Sequence, residues 1–147
     1  MNTQEISAAI KKEGRISGAD LTGMDLSRHD LSGIVFEDVR MARANLEGTR
    51  LVQSTLIRVD LGGRRIIKKK ISGAGLEEVN MSATGMVRTI LAEAALQNCS
   101  LAGADLSGAN LAGMAAEGVD FTGARAVGAS FARASFRECK LLGLDLT

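Results

Sequence analysis

The sequence predicts an all-β solenoid, a single column built by stacking short repeating units, and three observations predict it. Every fifth residue from Ile16 to Leu146 is apolar without a break, and all four phenylalanines, Phe36, Phe121, Phe131 and Phe136, fall on that one register. The residue two before each of these is mostly small or apolar, as at Ala19, Ala44, Val59, Ala74, Cys99, Ala104 and Val119. Thirteen of the seventeen glycines stand two after it, where a chain that must turn every fifth residue gains from one free of φ restriction. A five-residue period matches neither a helix nor a strand, so it marks a repeat architecture. In extended backbone, residues two apart share a face. The large central residue and the small one before it therefore point inward, and the Asp, Asn, Arg, Ser, Thr and Glu around them point to water.

Composition fits a narrow column packed with small side chains. The 147 residues contain no Pro, Trp or Tyr and carry a formal net charge of +1. One domain is expected, and a solenoid needs no globular core because each coil buries its inward face on its neighbours. No apolar run approaches transmembrane length, and Glu5, Lys11, Lys12 and Glu13 interrupt any signal-peptide core. A cytoplasmic protein with no membrane contact is the expectation.

The unit is plainest in residues 101–113, LAGADLSGANLAG, where Leu101, Leu106 and Leu111 recur inside an Ala-Asp/Asn-Leu-X-Gly unit. On this unbroken register the chain resembles the pentapeptide repeat family over about residues 15–147. The resemblance implies a right-handed quadrilateral β-helix with four pentapeptides, twenty residues, in each coil. The 131 residues from Ile16 to Leu146 then make six to seven coils, a rod on the order of 30 Å long at about 4.8 Å per coil. Cys99 and Cys139 take the same inward slot two coils apart, about 9.6 Å, beyond the roughly 7 Å between Cα atoms that a disulfide spans. Both are expected to be reduced, buried and inert.

Residues 1–14 precede the repeat and read as a short capping α-helix over 2–13. Asn2 or Thr3 can cap its start with Glu5 as in a capping box, Gly14 suits the residue past its end, and Ile6, Ala9 and Ile10 form an apolar stripe. Its expected work is to cover the open end of the first coil. In residues 15–60, Asp20, Asp25 and Asp30 sit just before central leucines, where a short carboxylate accepts from nearby backbone N–H groups. His29, the single histidine, occupies an inward slot and reads as a satisfied side chain at a widened corner, with no ligand cluster around it.

Between Leu61 and Ile71 comes the one departure, GGRRIIKKKI. Arg64 and Lys69 fall on inward slots that a narrow column cannot take as charges, so a basic loop or bulge is expected near 62–73. The resemblance adds that family members carry helix-interrupting loops that touch partners. Charge is layered along the chain: residues 1–38 hold seven acids to four bases, residues 39–76 nine bases to two acids, and residues 77–147 eight acids to five bases. A twenty-residue coil stacks Arg50 beside Lys70 and Lys68 beside Arg88 with little local acid, like charges that stability alone would not favour. Outward Val52, Ile57, Ile67, Val87 and Ile90 lie in the same coils. The partner-binding candidates are accordingly Arg50, Arg64, Arg65, Ile67, Lys68, Lys69, Lys70, Val87, Arg88 and Ile90.

Residues 74–147 return to clean repeats, with Ala116 and Ala126 replacing the large central residue, so the core must narrow or rearrange there near Met114 and Phe121. The closing LLGLDLT is still in register with no cap after it. Leu141, Leu142, Leu144 and Leu146 are the dimerisation candidates, through end-to-end pairing of two copies, and a continuation of the chain beyond Thr147 would account for the uncapped end equally well.

Catalytic constellations are absent: one His, no Tyr, two inward Cys, and no GxSxG, HExxH or CxxC pattern. No enzyme, cofactor or metal site is expected. The leading reading is a non-catalytic protein-interaction scaffold of bacterial type that presents the basic, partly apolar belt to an acidic protein surface. Two alternatives come from the resemblance. One is a DNA-mimic-like protein binding a type II topoisomerase such as gyrase, which the basic middle argues against, since mimicry needs an acidic surface. The other is an accessory or adaptor of type VI secretion, from the opening SGADLTGMDLSRHDLSG. Nucleic acid is disfavoured as a partner because the belt has no aromatics to stack bases.

Overall fold

A column of stacked coils requires each side of one coil to pair with the same side of the next, and that is how the backbone is satisfied. The computed structural model describes residues 3–62 and 71–147. Seven three-residue strands, β1 (Arg15–Ser17), β2 (Val35–Glu37), β3 (Thr55–Ile57), β4 (Gly75–Glu77), β5 (Ala95–Gln97), β6 (Ala115–Glu117) and β7 (Ser135–Arg137), form one parallel sheet in chain order. Register advances by twenty residues at each step, Ile16 facing Phe36, Phe36 facing Leu56 and Ala116 facing Phe136. This sheet is the first side of the coil. The other three sides pair through single bridges, such as Asp20 with Arg40, Asp25 with Asn45 and Asp30 with Arg50. The result is a four-sided β-solenoid of about six turns. β3 and β4 pair in the same twenty-residue register, Thr55 facing Gly75. Of the loop or bulge expected near 62–73, residues 63–70 lie outside the described residues.

The corners explain the glycines. On the three sides without strands, the N–H three residues on commonly closes the turn, as Ala104 to the Leu101 carbonyl at 3.0 Å and Ala109 to that of Leu106 at 2.9 Å. The third residue of each turn, here Gly103 and Gly108, has φ of 65°, as a type II turn demands. Glycine is the easy choice but not the sole one: among the described residues twelve non-glycine residues, Arg28, Ala83 and Arg88 included, hold φ between 51° and 62°. The expected Asp contacts are present, Asp20, Asp25 and Asp30 accepting from the N–H groups of Thr22, Ser27 and Ser32 at 3.0–3.1 Å.

Inside, the central register is buried from Ile16 to Ala126 at every described position. Polar inward residues find carbonyl partners, Thr49 Oγ1 donating to Leu26 at 2.8 Å and Ser54 Oγ to Leu51 at 2.7 Å. His29 is half-buried, its Nδ1 2.8 Å from the Ser27 carbonyl. The coil that looked too narrow is filled by alternation. Its central residues are Ala116, Phe121, Ala126 and Phe131, so two alanines on opposite sides leave room for two phenyl rings. Phe121 is wholly buried, and the Phe136 ring, stacked over Ala116, meets Phe121 edge-on at 5.7 Å and Phe131 at 5.7 Å.

Helix α1 (Thr3–Glu13) packs against β1 and buries Ile6, with Gly14 past its end at φ 61°. Asn2, the other candidate cap, lies outside the described residues. Both cysteines are free, but only Cys99 is buried. Cys139 is half-buried, contrary to the expectation that both are buried. No helix among the described residues is long and apolar enough to cross a membrane.

Candidate functional site

The twenty-residue coil gathers the described belt residues on one corner of the rod. Arg50 and Ile90 occupy the same column of the fourth side, two coils or about 9.6 Å apart, and Val87 and Arg88 form the adjoining corner from the third side. Arg88 is exposed at φ 57° and makes no ion pair among the described residues, while Val87 and Ile90 are half-exposed. Arg50 is less isolated than the sequence suggested: its Nη1 stands 3.9 Å from Asp30 on the preceding coil. Arg64, Arg65, Ile67, Lys68, Lys69 and Lys70 lie outside the described residues. Ile57, grouped with the belt in the sequence, belongs to β3 on the first side, opposite Val87.

The N-terminal part of the first side is electrically self-satisfied. Glu37 accepts from Arg15 and Arg58, each at 3.0 Å, and Asp38 accepts from Arg58 Nε at 2.6 Å. Hydrogen bonds from Arg58, joined by its charge, lower the Asp38 pKa, and the same carboxylates raise that of Arg58. Asp20 is lowered by hydrogen bonds from Thr22 and by Arg40, whose Nη2 lies 2.5 Å away. The Cys99 thiol is pushed up by burial.

The C-terminal part of that side is different and was not singled out from the sequence. Outward positions shrink to Gly75, Ala95, Ala115 and Ser135, opening a groove of about 620 Å³ along β3 to β7 that Glu77, Gln97, Glu117 and Arg137 border. Glu77, Glu78, Glu117 and Glu138 are exposed and make no ion pair among the described residues. The signal was available as small residues recurring every twenty positions.

At the last coil Leu141, Leu142 and Leu146 are exposed by 46%, 79% and 58%. Leu144 is half-buried and packs on the core instead. Phe136, exposed by 38%, joins the apolar end; its place on the inward register hid it. No group of His, Cys, Asp and Glu suited to a metal ion occurs among the described residues.

Two family models described as pentapeptide repeats match, one over residues 15–53 and one over residues 96–140. A pentapeptide repeat protein of the Arabidopsis thaliana thylakoid lumen aligns at 25% identity and TM-score 0.50, covering 85% of this chain. This chain spans 66% of that protein's length, just under two thirds. HetL, involved in heterocyst differentiation regulation in the cyanobacterium Nostoc, aligns at 18% identity and TM-score 0.31 over 98% of this chain and 96% of its own. QnrB1, a plasmid-mediated fluoroquinolone resistance protein, aligns at 19% and 0.47 over 90% and 80%. A search of curated proteins gives no match.

Proposed function

Since this chain belongs to the pentapeptide repeat family, whose members are generally non-catalytic, we propose that it is a rigid interaction scaffold that binds an acidic protein surface through its basic corner. The observation that carries this reading is Arg88, an exposed cation with no ion pair among the described residues, set between half-exposed Val87 and Ile90. It lies beside a stretch in which nine bases meet two acids. Cations steer and pair with an acidic partner, and the β-branched side chains supply contact that excludes water.

The test is affinity capture from the native source with wild type and with a variant carrying Lys68, Lys69, Lys70 and Arg88→Glu, followed by identification of what is retained. A protein held by wild type, released by salt and lost from the variant at unchanged melting temperature is the expected result. Equal capture by both sinks the proposal. The identity of the retained protein also separates a topoisomerase from a secretion component.

A second surface supports self-association. Phe136, Leu141, Leu142 and Leu146 are exposed together, and a second copy meeting them there would bury them. Sedimentation of wild type and of Leu142→Glu/Leu146→Glu decides: a dimer lost in the variant supports the reading, and a wild-type monomer refutes it.

A further inference from the structure

We draw no further inference here: the strongest candidate, the groove along the first side over β4 to β7, is a row of small residues beside exposed carboxylates, and nothing in the structure shows what covers it.

Discussion

The alternation of Ala116, Phe121, Ala126 and Phe131 within one coil makes a quantitative prediction. Phe121 is fully buried and Ala126 is 1% exposed beside it in the chain's inward register. Phe121→Ala removes a ring from a closed interior, costing about 3–5 kcal/mol. Ala126→Leu inserts a branched side chain where the rings already fill the space, costing about 1–3 kcal/mol by overpacking. If the coil is filled by compensation, these costs cannot add. In the double variant the new leucine occupies part of the space that the ring vacated. The double variant should then be at least as stable as Phe121→Ala alone, a coupling of about 1–3 kcal/mol. Urea unfolding followed by circular dichroism on all four proteins gives the cycle. Additivity within about 0.5 kcal/mol would refute the compensation.

Three further outcomes follow from the corners and slots. The pKa values of Asp20, Asp25, Asp30, Asp38, Asp105, Asp120 and Asp145 are all lowered, chiefly by hydrogen bonds from the residue two on, or from Arg58 for Asp38. Their contribution is therefore present above the unfolded value of about 3.9 and lost as pH falls through the lowered folded values; the melting temperature should hold to about pH 5 and fall below about pH 4, whereas a fall between pH 7 and 5 would implicate other groups. A thiol reagent should modify Cys139 in the native protein and Cys99 only on unfolding, since Cys99 is 2% exposed with its thiol pKa raised by burial; mass spectrometry of the labelled protein decides. Ala83→Gly should stabilise by about 0.5–1 kcal/mol, because exposed Ala83 holds φ 52°, and an unchanged urea midpoint would show that this corner stores no strain.

What was legible in the sequence is what repeats. Ile16, Phe36 and Leu56 could be placed inward by counting fives, and the parallel register of twenty bore that out. The Asp20, Asp25 and Asp30 corner contacts were legible because they need only a side chain and an N–H two residues on. Properties that depend on the neighbouring coil were harder to see. Counting by twenties sets Arg50 beside Lys70 in the sequence, while its acid, Asp30, stands on the preceding coil. Cys139 and Phe136 share the pattern of buried residues, yet one is half-buried and the other exposed. The groove escaped notice as well: Gly75, Ala95, Ala115 and Ser135 are ordinary singly and make a surface only when twenty-residue stacking aligns them.

Because each coil contacts only its neighbours, stability here is close to a sum of local contributions, and that separates inward from outward residues as experimental variables. A substitution at Leu106 or Leu111, both 0% exposed, should lower stability through lost burial whatever surface is being assayed. An outward substitution lowers it only by breaking a corner bond such as that from Thr22 N–H to Asp20, or a cross-coil pair such as Arg58 with Asp38. Arg88 takes part in no ion pair among the described residues, so changing it should leave the melting temperature in place. Any loss of binding at that position then reports recognition, and the basic corner can be removed on a rod that stays folded.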